Sequence, residues 1–100
     1  MTARIQTVES APRTTTGTNG AVVSVPVPSV NNEIILSLRG SGTVSITPQG
    51  SYDGGTSWVS LSSAITTLNG TPSKLPWAPK LRLNYATMTS ASVMADVIVI

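Results

Sequence analysis

From residue 33 onward, apolar and polar positions alternate with a period of two, in runs separated by turn-forming residues. Ile34, Leu36 and Leu38 share one face of Glu33–Arg39. Gly40-Ser41-Gly42 follows as a turn signal, after which Val44 and Ile46 oppose Thr43, Ser45 and Thr47 over Thr43–Gln49. Leu81, Leu83 and Tyr85 alternate strictly with Lys80, Arg82 and Asn84, and Val93–Ile100 is apolar enough for a central strand, with Asp96 its one charge. Ala21–Val27 is rich in β-branched residues, but the prolines of Val25-Pro26-Val27-Pro28 assign it to a sheet edge or a crossing. Trp58–Leu61 reads as a short strand; 62–79 is less regular, with Asn69-Gly70, three prolines and Trp77. The 3.6-residue helical period is absent: Ser60–Leu68 comes nearest, and Thr66 and Thr67 count against it. Seven or eight short strands spaced about ten residues apart predict an all-β fold, an antiparallel β-sandwich of immunoglobulin-like or jelly-roll topology.

The pattern fails before residue 20. Arg4-Ile5-Gln6-Thr7-Val8 alternates weakly, and Ser10–Asn19 has no periodicity and little apolar surface to bury. The expected organisation is an extended or flexible N-terminal arm over residues 1–19 and a single β-sandwich domain over 20–100. Arg4, Ile5, Val8 and Arg13 are the candidate partner-binding residues of the arm, because Ile5 and Val8 suit a strand added to a neighbour's sheet edge.

The most specific local signal is Ser51-Tyr52-Asp53-Gly54-Gly55-Thr56-Ser57-Trp58. Asp53 can turn its carboxylate back onto nearby backbone N–H groups, and Gly54 and Gly55 can take the positive φ of a tight reversal. Ser51, Asp53, Gly55 and Trp58 are the structural residues of this hairpin tip, with Trp58 expected to anchor it to the core. The spacing resembles the Asp-box of sialidase-type propellers, where it is a folding device. Chain length and the single copy of the motif exclude a propeller here.

Composition narrows the function. Charged residues are only 10% of the chain, while Ser and Thr number 14 each, a balance suited to hydroxyl-bearing strand faces covered by neighbouring subunits. The six basic residues are scattered and the net charge is +2, which gives no run of cations for a phosphate backbone. The absence of cysteine and histidine removes thiol chemistry, a His-based triad and the usual zinc sites. No stretch is long and apolar enough for a membrane-spanning helix, and the N-terminal residues lack a signal-peptide core, so the chain is expected to be made and used in a cytoplasm or released by lysis.

Catalytic readings find little support. Asp53 with Glu33 or Asp96 would be a glycosidase pair, yet the chain has four carboxylates in all. Lys74 and Lys80 are the available bases for a serine nucleophile, and neither stands in a supporting motif. No enzymatic activity and no cofactor or metal are expected. Tyr52 and Trp77 offer stacking surfaces for a sugar, against the plainer reading in which Trp58 and Tyr85 are core and Trp77 packs a loop. Asp96 is expected to face outward, or to pair with Arg39 or Arg82.

The sequence Gly42-Thr-Val-Ser-Ile-Thr-Pro-Gln-Gly-Ser-Tyr-Asp-Gly-Gly-Thr-Ser-Trp-Val-Ser-Leu61 resembles small virion structural proteins of tailed bacteriophages. Those combine an alternating strand, a Gly-Ser-x-Asp-Gly-x-x-Trp hairpin, a strand similar to Pro79-Lys-Leu-Arg-Leu-Asn-Tyr85, and a final Val-rich strand like Val93–Ile100. The likeness runs from Glu33 to the end, and Arg82 matches an arginine often present in the penultimate strand. Thr87–Ser92 departs from the usual Gly-Gly turn. The resemblance implies a capsid decoration (cement) protein that stabilises the head by bridging capsomers, or else a tail or baseplate component. Its partners would be the major capsid protein and copies of itself in a homotrimer or other symmetric cluster, and its location the virion, assembled in the host cytoplasm. A carbohydrate-binding module is the alternative from another class.

Overall fold

The computed structural model describes residues 4–13, 17–18, 22–28, 32–68, 70 and 72–99. Among the described residues seven strands make one antiparallel sheet: β1 (Arg4–Arg13), β2 (Gly17–Thr18), β3 (Val23–Ser24), β4 (Glu33–Ser51), β5 (Val59–Ser60), β6 (Ser73–Pro76) and β7 (Lys80–Val99). Two of them dominate. β4 and β7 pair from Ile34↔Val99 to Ser51↔Lys80. β1, β2 and β3 run in succession along the far side of β7, while β5 and β6 run along the far side of β4.

The chain does not reverse at Gly40-Ser41-Gly42, nor at Thr87–Ser92; it passes through both as continuous strand. The four short strands expected there are two long ones. A 19-residue strand would measure about 60 Å if straight, yet the molecule's largest extent is 37 Å. The ladder must therefore bend, and it bends at Gly40–Gly42 against Ser90–Ser92. Gly40 and Gly42 have φ of 149° and 97°, and Ser90 has φ of 48°. A Cβ on Gly40 would lie 1.8 Å from the Ser92 carbonyl oxygen, and one on Gly42 would lie 2.4 Å from that of Ser90. The turn signal in the sequence is a real demand for glycine, used to fold a sheet over rather than to reverse a strand. The outcome is a single antiparallel sheet curled into a half-barrel.

Alternation decides what the curl encloses. Ile34, Leu36, Leu38, Val44 and Ile46 of β4 and Leu81, Leu83, Tyr85, Val93, Ala95, Val97 and Val99 of β7 form the buried inner face, which Leu75 and Val25 complete. Leu61, Ile65, Leu68 and Trp77, from the connection whose sequence is irregular, pack against it. Ile46 exchanges both backbone hydrogen bonds with Ile65, at 2.9 and 2.7 Å, which holds that connection to the sheet. The residues between the buried ones face outward.

Residues 4–13, expected as an arm reaching for a neighbour, lie as β1 on the chain's own β7, with Arg4 opposite Val99 and Ile5 opposite Ile98. Register shifts interrupt that pairing between Thr7 and Glu9 and between Glu9 and Arg13. The prolines of 25–28 do fall beyond a short edge strand: pairing stops after Ser24, and the Val25 N–H donates to the Pro79 carbonyl at 2.9 Å.

Candidate functional site

The turn after β4 is built around two side chains. Ser51, fully buried, donates through Oγ to Asp53 Oδ1 at 2.8 Å and accepts from the Gly55 N–H at 2.8 Å. Asp53 Oδ1 also accepts from the N–H groups of Thr56 (3.1 Å) and Ser57 (2.9 Å), and Oδ2 accepts from Ser57 Oγ. Gly54 and Gly55 have φ of 77° and 100°, which brings Thr56 and Ser57 back over the carboxylate. Every donor aimed at Asp53 favours its charged form. Its pKa is lowered to about 2, chiefly by Ser57 through its hydroxyl and then its N–H. Asp53 is thus held ionised by the turn it organises, not poised to release a proton near neutrality.

Trp58 closes the turn, but on the outer side. It is not among the residues packed on the core; the inward-facing residue of the returning chain is Leu61, whose N–H donates to the Pro48 carbonyl at 2.9 Å. The Trp58 Nε1–H donates to the Gly55 carbonyl at 3.2 Å, and its ring lies under the Arg82 guanidinium, with Cζ 4.3 Å from the ring centroid. The anchor expected in the core is instead a buttress on the outer face. The contacts that hold it there are the Gly55 carbonyl and the outward-facing Arg82. Arg82 is fixed from its other side too, donating from Nε to Gln49 Oε1 at 2.7 Å. Gln49 is its direct neighbour on β4.

The structure brings Ser51, Asp53, Gly55 and Trp58 together, and sequence reading misses Arg82 and Gln49 as their companions. A signal exists: Arg82 lies between Leu81 and Leu83, so alternation turns it outward, next to whatever the turn lays on that face. Tyr85 is buried. Trp77 is half-buried against the core, donating from Nε1 to the Val25 carbonyl at 3.1 Å, and its own carbonyl accepts from the exposed Tyr52 hydroxyl at 3.0 Å. Asp96 pairs with Arg39 at 2.8 Å on the outer face. Among the arm candidates Ile5 is 69% exposed; the side chains of Arg4, Val8 and Arg13 lie outside the described residues. Comparison with known protein families, with curated proteins and with solved structures finds no match.

Proposed function

We propose that this chain is a structural protein of a bacteriophage particle, a capsid decoration protein that stabilises the head by bridging capsomers. The observation that carries the reading is a surface poor in charge and dotted with large apolar groups. Ile5, Val22, Val27, Tyr52 and Val59 are each 47–69% exposed on a chain that is only 10% charged. Such a surface is costly for a free monomer and natural for one buried among neighbours. The resemblance from Glu33 onward supplies the particle. In this reading the two halves of the bent sheet act as the two layers of a β-sandwich body. The outer side of β1, where Ile5 is exposed, binds the major capsid protein or copies of the chain arranged as a trimer or other symmetric cluster.

The test is quantitative mass spectrometry of purified particles. A copy number near that of the major capsid protein supports decoration. A handful of copies per particle moves the chain to the tail or baseplate, and absence from particles removes the virion reading. The exposed Tyr52 beside Trp77 keeps one alternative in view, a carbohydrate-binding module. A glycan array with Trp77→Ala as control decides it: binding lost in the variant favours the module, and silence across the array removes it.

A further inference from the structure

Two cations of β7, Lys80 and Arg82, share the outer face beside the turn. Among the described residues the ion pair formed is that of Arg39 with Asp96, and the nearby Asp53 carboxylate is already filled by its own turn. Arg82 is no ordinary surface arginine. Its Cζ lies over the Trp58 ring, 4.3 Å from the centroid, its Nε donates to Gln49 Oε1, and Trp58 itself is held by the Gly55 carbonyl. The guanidinium is therefore oriented before any ligand arrives, while none of the described residues accepts from its Nη groups. A fixed planar fork is suited to receive a carboxylate through two parallel hydrogen bonds, with little further ordering cost. Lys80, two residues along the same face and about 7 Å away by strand rise, adds positive potential although its Nζ donates to Ser24 Oγ. A stacked Trp–Arg pair is also the composition of interface hot spots.

We propose that Arg82, clamped between Trp58 and Gln49, is a docking site for a side-chain carboxylate on a partner protein. A nucleic-acid backbone fits less well, because two cations do not track successive phosphates. The proposal rests on the virion reading only for where that partner is found.

The test is a titration of the ¹⁵N-labelled protein with hexaglutamate peptide, and in parallel with hexathymidylate. The Arg82 Nε–H and Trp58 Nε1–H signals should shift saturably with the peptide. Arg82→Lys, which keeps the charge and loses the fork, should weaken the response about tenfold, and Lys80→Gln about twofold. Should Arg82→Lys fail to fold, Gln49→Ala, which frees the Nε and leaves the turn's own hydrogen bonds in place, should weaken it as well. Signals that stay still, a variant that binds as well as the native chain, or tighter binding of the oligonucleotide would each overturn the proposal. A native chain that responds to the peptide but does not bind particles would remove the virion reading and keep the site. One that binds particles without responding to the peptide would do the reverse.

Discussion

Val44 stands directly opposite Met88 on the inner face of the sheet, at a rung lying between two register shifts. Elsewhere the inward positions of β7 are odd-numbered: 81, 83 and 85 before the bend, and 91, 93, 95, 97 and 99 after it. One shift lies between the pairs Ser45↔Thr87 and Ile46↔Tyr85, the other between Ser41↔Ser92 and Thr43↔Thr89. Each adds a residue to β7 alone, so the inward set steps by three from Tyr85 to Met88 and by three again to Ala91. Two bulges curl the strand and then restore its phase, as bulges do where a sheet must bend.

This phase makes a prediction that uninterrupted alternation would reverse. Met88→Asp places a charge against the core and should cost at least about 2 kcal/mol. Thr87→Asp and Thr89→Asp, on exposed positions, should stay within about 0.5 kcal/mol of the native protein. Urea unfolding of the three variants measures this. A chain whose period of two ran straight through 85–91 would give the opposite ranking.

The glycines of the bend should separate from those of the turn. Gly42 has a positive φ, and a methyl group there would meet the Ser90 carbonyl oxygen at 2.4 Å and the Ala91 Cα at 2.5 Å. Gly54 has a positive φ with open space around it. Gly42→Ala should cost about 3 kcal/mol or more, strain and overlap together. Gly54→Ala carries only the backbone strain, about 1 kcal/mol. Equal losses in thermal or urea unfolding would mean that the bend tolerates a side chain.

Most of this architecture is legible as local pattern, and the rest is hidden in what the pattern does not carry. Ile34–Leu38 and Leu81–Tyr85 announce their inward faces, because a strand half-buried in a sheet must alternate. What period-two reading does not distinguish is a glycine that reverses a strand from one that kinks it. Gly40-Ser41-Gly42 satisfies both, and only its partners Ser90–Ser92, some fifty residues away, select the kink. β6 escapes notice for a different reason: it has one inward residue, Leu75, between Lys74 and Pro76, too little for a period. The turn at Ser51–Ser57 is readable because its hydrogen bonds are local. Trp58 is expected in the core because size favours burial, whereas the Arg82 that holds it outside comes from a distant strand.

Asp53 gives the turn a defined response to acid. Its folded pKa, about 2, lies below the ordinary carboxylate value of 3.8. The stabilisation it supplies is complete above that ordinary value and is lost as pH falls from there through the folded pKa. The unfolding midpoint should therefore fall between about pH 4 and pH 2, and Asp53→Asn should lower it at neutral pH while flattening that segment of the profile. An unchanged profile in the variant would show that the acid response originates in other carboxylates.

The outer-face ion pair should contribute little. Arg39 and Asp96 approach to 2.8 Å, but Arg39 is 49% exposed, and a solvent-screened pair gains little over its hydrated parts. A double-mutant cycle through Arg39→Ala and Asp96→Ala should give a coupling of about 0.5 kcal/mol, reduced by added salt. A salt-insensitive coupling several times larger would mark the pair as desolvated in solution.

Removing residues 1–13 tests whether β1 belongs to the sheet or only rests on it. The deletion strips β7 of the strand paired to Val93–Val99, leaving a row of backbone donors and acceptors on a strand whose inward side chains are Val93, Ala95, Val97 and Val99. Those inner residues keep β4 as their neighbour, so the core should survive with a lower unfolding midpoint. The bared edge, long and apolar on one side, is the kind that pairs with another copy. The truncated protein should accordingly self-associate with rising concentration in sedimentation velocity. Restoring residues 1–13 as a separate peptide should return the truncated chain to the native sedimentation behaviour by re-covering β7. A truncated chain that keeps its midpoint and its sedimentation coefficient would mean that β1 adds nothing to the edge it lies against.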